Sequence, residues 1–374
     1  MSQTPSPRLP HLESRGARLV ARPEAPELAS PLTFGDVPGE YAAGATGALL
    51  FDTGDRGRIR VGGSEAADFL HRITANDIRG LAPGTANTGL LLTPKGKIRH
   101  AFDALRTADG VELVSAPGQA ADLAQALDMF LFTEDVTLDD VSDEHAPLEL
   151  VGPRAGEVIA AALGQVELPD EPGHVLHAEF EGRTVEIRSQ RVAGSLGFAL
   201  DAGVERATRL WDALAAAGAT EGGVFARDSL RAEAGAALFG IDVDDNVYPQ
   251  EARWEHAFSL VKGCYTGQEV VAKIDTYGGM NKCLVVLAID GDDPVPRGAE
   301  LVRVDEADER SVGLVTTWSY SFALDRGIAL AYAKRKHQAI GTRFRLGADG
   351  PTATIVEFPV REGALAPTGP META

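Results

Sequence analysis

The stretch VKGCYTGQEV, residues 261–270, gathers more groups capable of chemistry than any other part of the chain. Cys264 is one of only two cysteines in 374 residues. Lys262 places a cation beside it, which favours the thiolate where the site is partly exposed. Gly263 and Gly267 permit positive φ and close approach of another group. Tyr265, Thr266, Gln268 and Glu269 add polar atoms nearby. Two readings are open: a reactive thiol in a polar loop, or an inert one in a tight turn, where free cysteine acts as a small hydrophobe. No His or Asp lies close enough in sequence to complete a Cys–His pair. One cysteine cannot hold an iron–sulfur cluster, which normally takes four thiolates. Cys283, 19 positions on, is too distant for a C-x-x-C redox pair. The histidines are scattered with no H-E-x-x-H spacing, so a structural metal is not expected.

The whole chain sets bounds on that chemistry. With 374 residues, two or three domains are expected. A composition of 44% hydrophobic and 24% charged residues is that of an ordinary globular protein. The formal net charge of −20 repels phosphate backbones and argues against general nucleic-acid binding. It leaves room for a local basic pocket that takes a small anion. No apolar run approaches the roughly 20 residues that cross a bilayer, so no membrane partner is expected. The opening residues lack the pattern of a secretory signal. Two cysteines without a disulfide framework point to a reducing, cytoplasmic setting.

The elements that must position the motif follow from periodicity. Residues 1–40 hold seven of the 21 prolines and few large apolar groups, which predicts a disordered or extended arm. GRIRVGG alternates as a strand. Ser64 is the expected N-cap of a helix carrying Phe69, Leu70 and Ile73 inward. TGLLLT, the turn PKGK and IRHAFDALR predict a hairpin, and AADLAQALDMFLF a helix. Strands and helices then mix without a strict βαβ rhythm, the pattern of an α+β fold. After about residue 283, short strands separated by turns predict a small β-barrel.

KGCYTGQE resembles the signature of the YgfZ family of folate-binding proteins, relatives of the glycine-cleavage T-protein (aminomethyltransferase). Three longer stretches are similar to that superfamily. They are SEAADFLHRITANDI with GLLLTPKGKIRHAFDALR, then WDALAAAGATEGGVFARDSLRAEAGAALFGIDVDDNVYPQEA, and SVGLVTTWSYSFALDRGIALAYAKRKHQAIGTRF. The resemblance covers roughly residues 45–360. It implies a three-domain ring of two intertwined α+β lobes and a small C-terminal barrel. The arm would then span 1–40, a folate-binding α+β region 41–283 with its lobe boundary near 145, the barrel 284–362 and a tail 363–374.

The resemblance also implies a site. In the superfamily a glutamate of the R-x-E-A-G helix meets the pterin ring of tetrahydrofolate, and Glu233 in LRAEAG stands at that position. A carboxylate there can accept two hydrogen bonds from an aminopyrimidine edge. Arg231 either orients it or lies exposed. Lys262, Tyr265 and Gln268 are the further implied contacts, with Cys264 the functional thiol at the mouth of the cleft. Lys262, Lys273, Arg253 and Lys282 would supply cations for the anionic folate. The implied function is tetrahydrofolate-dependent support of iron–sulfur cluster assembly or repair, with iron–sulfur client or assembly proteins as partners. The alternative is a folate-dependent aminomethyltransferase or demethylase. A third reading, a binding module without folate, requires an exposed Glu233 and a closed central cleft.

Departures from the T-protein pattern bear on that choice. T-proteins carry an Asp-Asp pair after the hairpin turn, where this chain has His100 and Ala101. Asp103 lies two residues along the strand, about 7 Å away. Gln268 stands where an Arg is usual, and Cys264 where an acid is usual. His100 is either a base, since its ordinary pKa is near neutrality, or a plain strand residue.

Overall fold

The computed structural model describes residues 5–305 and 310–365. Its first part corrects the expected loose arm. Arg18–Arg22 pairs antiparallel with Ala25–Thr33, and the helix Val37–Thr46 follows, its N-terminus capped by Asp36 accepting from Gly39 N at 3.1 Å. The physical reason is a small number of strong anchors in a proline-rich stretch. Arg8 is fully buried and donates from Nε to Asp52 at 2.8 Å, from Nη1 to Ala146 O at 2.7 Å and from Nη2 to Pro147 O. Leu12 and Leu28 are buried as well.

Two sheets make up the α+β part. The first runs, in spatial order, Val175–Phe180, Arg183–Val192, Ser195–Asp201, Leu148–Val151, Leu49–Asp52 and Thr220–Glu221. The second runs Ala86–Leu92, Ile98–Arg106, Val111–Pro117, Arg56–Gly62 and Thr137–Asp140. The chain therefore leaves the first sheet at Asp52, enters the second at Arg56 and returns at Leu148, so the lobes are intertwined. Their edges touch where Ala86 N donates to Gly173 O and Val175 N to Gly84 O, both at 2.8 Å. The predicted hairpin forms, with Leu90 opposite Ala101 and Thr88 opposite Asp103. Ser64 does not cap its helix. The Ala66–Ile73 helix starts after Glu65, and Ser64 Oγ donates to Asp135 at 2.7 Å instead.

Six strands close the C-terminal barrel in the order Lys282–Ile289, Arg326–Lys334, Ser311–Ser321, Glu300–Arg303, Arg343–Leu346 and Thr352–Val356. One face of its strands packs a dry interior of Val285, Leu287, Ile289, Ala331 and Phe344. The other face joins the lobes through Leu284, Val286, Leu330 and Tyr332. Beyond residue 365 the expected tail lies outside the described residues. Among the described residues no helix is long and apolar enough to cross a membrane.

Two predictions follow from burial. Arg8→Ala leaves Asp52 charged and enclosed, which for a broken buried pair costs about 3–5 kcal/mol in urea denaturation; a loss near zero would show that the arm adds nothing to stability. His100 and His256 are both pushed down to about 4, first by burial and then by Arg99 and Arg191 respectively. The unfolded chain takes up these protons near pH 6.5 and the folded chain only near 4, so this stabilisation is present above about pH 6.5 and is lost as pH falls towards 4. The melting temperature should decline over that window, and His100→Gln with His256→Gln should flatten part of the slope.

Candidate functional site

The KGCYTGQE segment forms a loop ending in the helix Gln268–Tyr277. Gly267 has φ +80°, and a Cβ there would sit 2.5 Å from Thr93 O and 2.9 Å from Gly96 Cα. The loop and the PKGK turn thus approach closely through glycine alone. Gln268 Oε1 accepts from Tyr265 N at 3.1 Å, which fixes the helix start. Lys262 clasps the Ala66–Ile73 helix: its Nζ donates to His71 O, and its carbonyl lies 3.1 Å from His71 Nε2. Its ammonium also sits 4.9 Å from the Tyr265 ring centre. Burial pushes its pKa down to about 8 against the pull of Asp77. Tyr265 is buried, and burial pushes its phenol up to about 12. Cys264 is exposed, whereas Cys283 is buried, its thiol pushed up to about 11 mainly by burial.

The cavity lies elsewhere. A hollow of about 490 Å³ opens between the lobes and the N-terminal hairpin. Its wall contains none of Lys262, Cys264, Tyr265 and Gln268, so the expected mouth position of Cys264 is corrected. Phe102, Phe239 and Trp254 give it apolar surface. Its charge is set by seven arginines against three carboxylates, Glu24, Asp103 and Glu149. Glu149 is nearly fully buried and accepts from Gln190 Nε2 at 2.8 Å, from Arg227 Nη2 at 3.0 Å and from Arg56 Nη1 at 3.4 Å. Asp103 bridges Arg56 at 3.2 Å and Arg188 at 3.5 Å. Buried guanidiniums repel one another, and these shared carboxylates let them stay together. The result is a cationic hollow in a protein of net charge −20.

Glu233 does not reach the hollow. It is fully buried; Oε2 accepts from Tyr41 at 2.8 Å, and Oε1 from Ser321 Oγ at 2.8 Å and Ala323 N at 3.1 Å. It ties the Val37–Thr46 helix to the barrel, and its carboxylate is already committed. Arg231 borders the cavity, but its guanidinium donates to Asp228 and Asp242, both at 2.6 Å, and to Thr317 at 2.8 Å. It is a strut. Gly235, at φ +68°, closes their helix because a Cβ would lie 2.4 Å from Phe358. Of the four expected cations only Arg253 is in the wall. Ala101, Phe102 and Asp103 line the hollow and His100 does not. The binding module without folate needed Glu233 exposed and the cleft closed, and neither holds.

Sequence reasoning missed Arg22, Glu24, Arg56, Glu149, Arg188 and Arg227. A signal existed in VEIRSQRV, where Glu186, Arg188 and Gln190 alternate with the buried Val185 and Ile187. Such a face normally points to water; here Arg188 is buried. Among the described residues no His, Cys, Asp and Glu cluster could hold a metal ion.

Comparison with known proteins agrees with this architecture. Residues 17–262 match the GCVT N-terminal domain, and residues 282–360 the glycine cleavage T-protein C-terminal barrel domain. The aminomethyltransferase of Herpetosiphon aurantiacus is 31% identical over 348 residues, 92% of this chain and 94% of its own. That of Geobacillus kaustophilus is 31% identical over 345 residues, covering 88% and 91%. The crystal structure of the glycine cleavage system aminomethyltransferase T from Bartonella henselae superimposes with a TM-score of 0.85 at 23% identity, covering 98% of this chain and 100% of that one. The shared fold is α+β with a closed six-stranded C-terminal barrel. Both domain matches and the relatives' nearly full-length coverage lead to one conclusion: this chain belongs to the glycine-cleavage T-protein family.

Proposed function

We propose that the arginine-lined cavity binds a reduced folate and that the protein transfers a one-carbon unit on it. The cavity itself carries this reading: a hollow of about 490 Å³ with aromatic surface and five guanidiniums besides the committed Arg22 and Arg231 suits a flat heterocycle with an anionic tail. The names of the aminomethyltransferase relatives support it. The residues present fit the group. Arg227 and Arg56 offer charge-assisted donors, while Glu149 and Asp103 offer acceptors. Ala101 stands where the family acid is expected, and Asp103 is the carboxylate on the same face of the same strand. A carboxylate there can stabilise positive charge that develops on nitrogen as the one-carbon unit passes from amine to folate.

Calorimetry with folinic acid tests binding: the wild type should bind, and Arg227→Ala should weaken binding by roughly tenfold or more. Incubation with tetrahydrofolate and an aminomethylated lipoyl carrier tests transfer. Methylenetetrahydrofolate and ammonia should form, and Asp103→Asn should slow this by roughly 100-fold. Binding without any turnover in the wild type would sink the transferase reading.

That outcome would favour a second reading, an accessory role in iron–sulfur protein maturation, for which one observation speaks. Cys264 is exposed and lies outside the cavity, beside half-buried Lys262. There it is open to a partner protein without disturbing folate. On this reading Cys264→Ala leaves folinic acid affinity unchanged and lowers the activity of iron–sulfur enzymes in cells; unchanged cellular activity would count against it.

A further inference from the structure

The N-terminal hairpin contributes two charged residues, Arg22 and Glu24, to the cavity wall. They are held differently. Arg22 is committed to Asp55, donating from Nη2 to Oδ1 at 2.9 Å and from Nε to Oδ2. Glu24 is poorly served. Its side chain is 5% exposed, yet Oε1 has one long contact, from Arg22 Nη1 at 3.4 Å, and Oε2 has no hydrogen-bond partner. Thr53, also in the wall and 1% exposed, has an Oγ with no partner. A buried carboxylate oxygen without a donor is costly, and such atoms in a native fold call for a missing partner. The site is firm: Gly240 packs on the glutamate so closely that a Cβ there would fall 2.8 Å from Glu24 Cβ.

We infer that Glu24, with Thr53 elsewhere in the same wall, is a ligand-recognition residue that reads an N–H-bearing edge of the bound molecule. This rests on the folate reading, and it assigns to the hairpin the aminopyrimidine edge that Glu233 cannot reach. Folate has the complementary groups: an exocyclic amino group and an adjacent ring N–H, two donors side by side. A carboxylate accepts such a pair with both oxygens. The terminal torsion of glutamate is broad and turns at low cost, so the carboxylate can face its oxygens into the hollow when donors arrive. The guanidiniums of the remaining wall are then left for the anionic part of the ligand. Specificity follows, because a ligand without these donors would leave the carboxylate unpaired.

The full chain is titrated calorimetrically with folinic acid and with its desamino analogue, in which hydrogen replaces the exocyclic amino group. The wild type should prefer folinic acid by roughly 10- to 100-fold. Glu24→Ala should lose that preference, and Glu24→Gln, which keeps size but not charge, should retain part of it. Circular dichroism and melting temperature verify folding, and the two-ligand comparison in the wild type needs no variant. Equal affinity of the wild type for both ligands, or a preference unchanged in Glu24→Ala, overturns the assignment of Glu24 while folinic acid binding leaves the folate reading standing. No binding of folinic acid to the wild type overturns both.

Discussion

The structure depends on how a buried carboxylate is shared among guanidiniums. Glu149 comes from a strand of the first sheet, Arg56 from the start of a strand in the second, and Arg227 from the helix Val224–Ala234. One side chain thereby fixes three elements around one hollow. Without it Arg56 and Arg227 would come together in a poorly solvated space with no carboxylate between them, where like charges are strongly unfavourable. Asp103 repeats the device for Arg56 and Arg188. The cationic lumen is held together because carboxylates in and behind its wall are shared among the arginines, and the positive charge left over is what an anion meets.

Much of the architecture was legible in the sequence, for physical reasons that differ between parts. The barrel announced itself through short strands separated by turns, because its strands must alternate a dry interior with an outer face. The hairpin around PKGK was equally plain. The N-terminal arm was misread because composition averages over residues, whereas Arg8 docks the arm through a single guanidinium with several acceptors. The cavity wall was misread for a related reason. An alternating polar face such as that of Glu186, Arg188 and Gln190 is normally solvated, and no local pattern tells that another lobe will cover it. Glu233 misled in the opposite direction: its motif is conspicuous, but its carboxylate is consumed by Tyr41, Ser321 and Ala323.

The conspicuous cysteine segment and the cavity are separate features that share one scaffold. Gly267 lets the loop nest against the PKGK turn, which leads directly into the strand bearing Ala101 and Asp103. Lys262 is spent on His71 rather than on a ligand. The segment therefore braces the strand at the lumen while presenting Cys264 outward.

The passage of the chain from one sheet to the other and back has a consequence for synthesis. Leu49–Asp52 pairs with Leu148–Val151 on one side and with Thr220–Glu221 on the other. The first partner emerges roughly 100 residues later and the second roughly 170, which at about 5–20 residues per second are waits of about 5–20 s and 10–35 s. Until then Leu49, Leu50 and Phe51, all buried in the finished molecule, have no place to go. The second sheet is drawn from one continuous stretch, Arg56 to Asp140, but the first cannot close until its later strands arrive, and pairings of such long range make folding slow. The nascent chain thus leaves this apolar early strand incompletely paired for nearly half of its own production, a period in which chaperone cover matters more than the finished fold would suggest.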